Sequence, residues 1–336
     1  MVSRCRRDRV TSMLNRLLDA LIEAPVVTSF TRLGYDARSR LDHWTSLSSY
    51  DLTGRVIVVT GATSGIGRVA AEQFASCGAS VVVSGRDRAK TERVRDEIAA
   101  RSGNDRLDVL VADMGELGQV RAAAESVLSR HDRLDVLVHN AGALRSTRQV
   151  SLAGIERTVA SQVVGPFLLT ELLLDRLRAT GPGRVITMSS GGMYAANLTV
   201  EQLEMGEGYG GSEQYARAKR AQVTLNEMWA ERVPAAEVVF HAMHPGWADT
   251  PGVREALPTF RTMMGPLLRS PAQAADTLVW LAADDGEPLH SSGLFWLDRR
   301  VRPIHKVPMT RRSDTPDRRQ RLWEWTAAAS VIESDG

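Results

Sequence analysis

Arg55-Val-Ile-Val-Val-Thr60-Gly-Ala-Thr-Ser-Gly65-Ile-Gly67 decides the fold of this chain. A short valine- and isoleucine-rich run leads into three closely spaced glycines, and a helical pattern follows. A strand that turns sharply into a helix places backbone N–H groups and a positive helix end where a nucleotide diphosphate can sit. Gly61 permits the tight turn, Gly65 lets the backbone approach phosphate, and Gly67 allows close helix–strand packing. Thr63, Ser64 and Ile66 lie inside the same loop and are candidate cofactor contacts.

Outward from this string the pattern repeats. Ser80–Ser84, Leu107–Ala112, Leu134–His139, Arg184–Ser189, Glu237–His241 and Gly293–Leu297 read as further strands, separated by helical stretches. Continuous apolar strands alternating with helices imply an α/β, doubly wound parallel sheet covered on both faces. Three zones emerge: residues 1–52 as an N-terminal helical extension, 53–298 as a single Rossmann-type domain, and 299–336 as a basic, proline-marked tail in which Pro316 opens a last helix. In the extension, Val10, Met13, Leu14, Leu17, Leu18, Leu21 and Ile22 recur at helical spacing until Pro25. That amphipathic helix leaves two readings open: packing on the main domain or a partner subunit, or lying on a membrane surface, aided by Arg4, Arg6, Arg7 and Arg9.

The 336 residues carry a net charge of only +2, which gives no reason to expect a nucleic-acid partner. Two cysteines, Cys5 and Cys77, are too few for a disulfide framework and suit a reducing compartment, hence a cytoplasmic protein. No secretory signal and no spanning segment are expected, and nothing in the pattern requires a metal.

Downstream stands Tyr215-Ala-Arg-Ala-Lys219. Residues four apart share a helix face, so an ammonium beside the phenol is expected to lower its pKa from near 10. A phenol so tuned can pass a proton to or from a substrate oxygen. With the glycine string, this implies hydride transfer assisted by a tyrosine.

The spacing T-G-x-x-x-G-x-G resembles that of the short-chain dehydrogenases/reductases, and further segments match in order across 53–298. Asp113-Met114 follows the third strand, where that family's aspartate contacts adenine. His139-Asn140-Ala141-Gly142 resembles the family's N-N-A-G, with histidine first. Pro245-Gly246 through Thr250 resembles the segment beside the nicotinamide. The resemblance implies Ser190 as the active-site serine, Tyr215 as acid or base, and Lys219 as the group that tunes the tyrosine and holds the ribose. It also implies a fourth catalytic residue, an asparagine, where this chain has Gln162, longer by a methylene. The family's asparagine holds a water in a proton relay to the lysine, so the exchange bears on turnover. A closer likeness, spanning nearly the whole chain, is to a subgroup of oxidoreductases without assigned substrates.

Cofactor choice follows from the end of the second strand. A carboxylate there would favour NAD(H) through the ribose 2′-hydroxyl. Gly85 occupies that place and Arg86 follows, a guanidinium suited to a 2′-phosphate. NADP(H) is therefore expected in preference to NAD(H). Met193, Leu257, Phe260, Met263, Met264 and Leu267 suggest an adaptable apolar lining and a lipophilic carbonyl or alcohol substrate. A homo-oligomer formed through the long helices after the fourth and fifth strands would be in keeping with the family. The competing reading is a catalytically weak nucleotide-binding sensor or scaffold, for which Gln162 is the main support.

Overall fold

The computed structural model describes residue 15 and residues 17–332. Val10, Met13 and Leu14 of the amphipathic run, the four early arginines and Cys5 lie outside the described residues. Cys77 is a free, buried thiol.

Eight strands form one sheet in the order β3-β2-β1-β4-β5-β6-β7-β8. They are β1 (Val56–Val59), β2 (Ser80–Gly85), β3 (Leu107–Val111), β4 (Val136–His139), β5 (Gly183–Met188), β6 (Val238–Met243), β7 (Leu294–Leu297) and β8 (Arg300–Val301). All seven sequence-read strands are present. β1 through β7 pair in parallel, and only β8 runs antiparallel to β7. Both faces are covered, because alternate side chains of one strand enter different cores. Val56 and Val58 meet Leu169 and Ala218 from the helices Gly165–Thr180 and Gly211–Arg232. Ile57 and Val59 meet Ala70 and Leu278 from Gly65–Ser76 and Pro271–Ala283. The chain order reverses between β1 and β4, which places the ligand crevice of such sheets beyond their carboxyl ends.

The sheet ends in a turn that the sequence does not announce. Asp298 (φ 55°) and Arg299 (φ 52°) both take the left-handed conformation, which suits a two-residue hairpin between β7 and β8. A boundary at Asp298 therefore cuts through the hairpin, and the last strand, β8, lies in the segment read as tail.

Past the run ended by Pro25, the extension forms two helices, Val26–Phe30 and Arg32–Leu41. They are fixed to the sheet edge by a buried ionic cluster. Arg38, with a fully buried side chain, bonds Asp19, Glu23 and Asp298, at 2.8, 2.8 and 2.6 Å. Arg269 meets the other side of Asp298 at 2.5 Å and also bonds the Ser29 carbonyl. Packing on the main domain is thus realised for the described part, while Leu17 and Leu21 remain 57% and 72% exposed. Among the described residues no helix is long and apolar enough to cross a membrane.

The final helix, Pro316–Ser330, starts at Pro316 with a Thr315 side-chain cap. Leu322 is fully buried, and the Trp323 ring lies 4.8 Å from Trp229 and 4.9 Å from Phe167. These contacts cover part of the helices Gly165–Thr180 and Gly211–Arg232, the surface expected to meet a partner subunit. The tail helix is therefore core-forming.

Candidate active site

The glycine loop is set by the residues behind it. Gly61 (φ 65°) and Gly65 (φ 56°) adopt conformations that disfavour side chains. A Cβ on Gly67 would lie 2.2 Å from the Asn140 amide nitrogen, so Gly67 is required by packing. Asn140 donates to the carbonyls of Thr60 (2.9 Å) and Gly61 (3.1 Å), and the Thr60 hydroxyl accepts from the N–H groups of Asn140 and Ala141. The Asn140 side chain thus braces the loop from β4. Ser64 occupies the helix N-cap, but its hydroxyl makes no cap bond to the first-turn N–H groups. Across the loop, Thr250 lies 3.6 Å from where a Gly65 Cβ would stand, so the Pro245–Thr250 segment closes over the same cradle. Gly246 (φ 76°) lets that segment pass Arg269, whose guanidinium would clash with any side chain there.

At the end of β2 a side chain on Gly85 would meet Thr63 and Thr91 at 2.4 Å, so a carboxylate has no room at that position. Arg86 extends into solvent with its side chain 64% exposed, 3.9 Å from Asp113. Asp87 instead caps the next helix by accepting from Lys90 N–H. Asp113 accepts from Arg157 at 2.5 Å, and Met114 is buried in the core. Arg157, which also reaches Glu116, is a residue the sequence reading missed.

On the other side of β4, Ser190, Tyr215 and Lys219 come together. Ser190 leaves β5 at its carboxyl end, near enough to the Tyr215 phenol to favour its ionised form. Its oxygen also accepts weakly from Gly192 N–H at 3.3 Å. Tyr215 and Lys219 share one face of the helix Gly211–Arg232, with Lys219 Nζ 5.4 Å from the phenol ring centre. Lys219 is 2% exposed, and Nζ donates to the Met188 carbonyl and to Gln222 Oε1, each at 2.8 Å.

The expected lowering of the phenol pKa is not met. Burial pushes Tyr215 up to about 12 against an opposing influence of Ser190, and burial pulls Lys219 down to about 7. The lysine spends its protons on Met188 and Gln222 and does not direct them to the phenol. Gln222, three residues past Lys219 on the same helix face, was missed although that spacing makes it a natural neighbour.

Gln162 lies in a π-helical turn, Ala160–Val164, that precedes the helix Gly165–Thr180. Nε2 donates to the Ala143 carbonyl at 3.0 Å, while Oε1 is buried without a protein partner. A Cβ on Gly142 would stand 3.0 Å from Gln162 Oε1 and 3.4 Å from Lys219 Nζ, so these three positions converge.

A family model described as short chain dehydrogenase matches residues 55–259. The chain belongs to the short-chain dehydrogenase/reductase family. Human dehydrogenase/reductase SDR family member 12 is 37% identical over 88% of this chain and 92% of its own length. Human retinol dehydrogenase 12 is 30% identical over 82% and 86%. Among solved structures, 3-ketoacyl-(acyl-carrier-protein) reductase from Brucella melitensis, complexed with NADH, is 26% identical. It covers 73% of this chain and 96% of its own, with a TM-score of 0.59. This is a family of dehydrogenases and reductases acting on alcohols and carbonyls.

Two parts of this short-chain dehydrogenase/reductase depart from the sequence reading. Met193 is fully buried in a cluster with Phe30, Tyr194 and Phe295, and so belongs to the core. The segment after Thr250 forms two short helices, Pro251–Ala256 and Pro258–Met264, that bury no residue completely. It is tethered by Arg254 and Arg261 on Asp249 and by Phe260 against Trp247 at 5.1 Å. Phe30, from the extension, packs edge-on to His244 at 4.4 Å and lies against Gly191, the neighbour of Ser190. Nothing in the sequence foretold that contact.

Proposed function

We propose that this chain is an NADP(H)-dependent oxidoreductase that interconverts a carbonyl and an alcohol on a lipophilic substrate, with Tyr215 as acid or base. The observation that carries the reading is the convergence of Tyr215 and Lys219 on one helix face, with Lys219 Nζ 5.4 Å from the phenol ring centre and Ser190 at the neighbouring carboxyl edge of the sheet, beside the glycine cradle. Gly61, Gly65 and Gly67, with Ser64 and Ile66, would hold the pyrophosphate, Asp113 and Met114 the adenine end, and Gly142, Lys219 and Thr250 the nicotinamide ribose side. When bound, the nicotinamide supplies or accepts the hydride. Ser190 donates to the substrate oxygen and orients it. Tyr215, protonated at neutral pH because burial holds its pKa at about 12, gives that oxygen a proton in the reducing direction. Lys219 and Gln162 converge on Gly142 and hold the polar floor of the site.

Arg86 supports NADP(H): it is the exposed guanidinium at the end of β2, where Gly85 leaves no room for a carboxylate. Arg86→Ala should raise the NADPH KM about tenfold to a hundredfold, as expected for one or two charge-assisted hydrogen bonds, and leave NADH nearly unchanged. Equal KM changes for both nucleotides would refute the assignment. For the substrate, Leu257, Phe260, Met263, Met264 and Leu267 offer an apolar flap, and retinol dehydrogenase 12 among the relatives supports a lipophilic class. Oxidation of NADPH against retinoid, steroid and fatty-aldehyde panels tests this. Binding without turnover on every panel would favour a sensor.

Exposed Leu17 and Leu21, four residues apart, support peripheral membrane contact by a cytoplasmic protein. Leu17→Ser/Leu21→Ser should reduce flotation with anionic liposomes at least severalfold. Unchanged flotation would remove the helix from that role.

A further inference from the structure

Beside Gln222 the helix Gly211–Arg232 and the helix Gly165–Thr180 flank a cavity of about 30 Å³. Its apolar walls include Phe167 and Trp229, but its polar lining is unusual: Gln162, Gln222, Asn226 and His139. Each presents a buried atom without a partner in the protein: Gln162 Oε1, Gln222 Nε2, both amide atoms of Asn226, and His139 Nδ1.

The state of His139 follows from its neighbours. The Thr170 hydroxyl gives its single proton to the Pro166 carbonyl at 2.8 Å, so it accepts from His139 Nε2–H at 2.7 Å. Nδ1 is therefore a bare acceptor. Burial pulls the ring pKa to about 3, so His139 is neutral at working pH.

Two acceptors, a donor and a complete amide around one space are the partners of ordered water. Leaving them all unpaired would cost more than most folds tolerate. A water needs about 10–15 Å³ of such volume, so one or two fit. We propose that this cavity is an internal water site whose occupants join His139, Asn226 and Gln222 into a buttress that positions the Lys219 ammonium. Gln222 is the link, since its Oε1 accepts from Lys219 Nζ at 2.8 Å while its Nε2 belongs to the cavity. Water supporting that amide favours the charged lysine. Among the described residues no carboxylate contributes to its ionisation, and the only titratable groups facing it are Tyr215 and, across the cavity, His139. Gln222, Asn226 and His139 are thus positioning residues.

The effect on turnover rests on the proposed roles of Tyr215 and Lys219, whereas the water site does not. A crystal structure of the full chain showing ordered solvent should place water on Gln222 Nε2, Asn226 and His139 Nδ1. Asn226→Leu fills the space. If the site is wet, the melting temperature falls by a few degrees; if dry, two orphaned amide atoms disappear and it rises. In NADPH-driven reduction, Asn226→Leu and Gln222→Leu should move the alkaline limb of kcat/KM down by about one pH unit, as charged Lys219 becomes harder to keep. Asn226→Ser, which retains hydrogen-bonding capacity and adds room, should restore the limb. A dry cavity with a rising melting temperature overturns the site. A wet cavity with an unmoved pH limb overturns the positioning role. Absence of turnover in the native chain counts against the enzyme reading alone.

Discussion

Tyr215→Phe is expected to abolish turnover while leaving the protein folded and able to bind nucleotide. The change removes one oxygen and conserves the ring, so packing beside Lys219 is retained. The hydroxyl's polar neighbour is Ser190, which keeps its bond from Gly192 N–H. Stability should therefore shift by no more than about 1 kcal/mol, the net worth of one hydrogen bond. Chemistry should suffer far more. A general acid contributes about 10²–10⁴-fold, and no other side chain in the described site offers a proton at the same place. The pH profile adds a second check. With Tyr215 near 12, the phenol is protonated across the neutral range, so reduction should not fall at neutral pH through loss of the acid. With Lys219 near 7, its charge is the first to be lost as pH rises. Single-turnover oxidation of NADPH, paired with nucleotide titration by fluorescence, separates the two effects. Turnover surviving within tenfold in Tyr215→Phe would sink the acid–base assignment.

The same helix shows where sequence is informative and where it is not. Strands buried on both faces are nearly pure valine, isoleucine and leucine, so all seven parallel strands were legible. The glycine string was legible because Gly61 and Gly67 are required by backbone conformation and by Asn140. The approach of Tyr215 to Lys219 followed from helical spacing, but their proton affinities did not. Those depend on burial and on the competing acceptors Met188 and Gln222, which arrive from β5 and from the next helical turn. Gln162 stands out in the sequence as a departure, longer by a methylene than the asparagine expected there. The π-turn in which it lies is a local backbone choice without a sequence signature. The Asp298–Arg299 hairpin was missed because arginine stands where such a turn usually has glycine. Long-range contacts were least visible: Phe30 reaches Gly191 and His244 from a segment read only as an extension.

Asp298→Asn should be among the most damaging single substitutions outside the site. Asp298 is 1% exposed and accepts from two buried guanidiniums, Arg269 at 2.5 and 2.9 Å and Arg38 at 2.6 Å. Burial alone would raise its pKa, but the two arginines override this and hold the carboxyl below its usual range. The amide is nearly isosteric, so the hairpin can still form, but the charge is lost. Arg38 retains Asp19 and Glu23, whereas Arg269 is left without its carboxylate partner. Removing one member of a buried pair typically costs about 3–5 kcal/mol. For a chain of this size that lowers the melting temperature by roughly 5–10 °C. Because Arg269 also binds the Ser29 and Thr31 carbonyls, the loss should loosen the extension first. Limited proteolysis should then cut near Pro25–Thr31 before the domain unfolds. The native cluster should show the matching acid response. Burial tends to raise Asp19, but Arg302 and Arg38 hold it at about 2. A carboxyl depressed on folding stabilises above its unfolded pKa, near 3.9, and that stabilisation is lost as pH falls through the folded value. Native melting temperatures should therefore fall steeply from pH 4 toward pH 2, and Asp298→Asn should fall less over the same window. A melting temperature within about 2 °C of native at neutral pH would mean that the cluster contributes little and that apolar packing around Phe30 holds the extension.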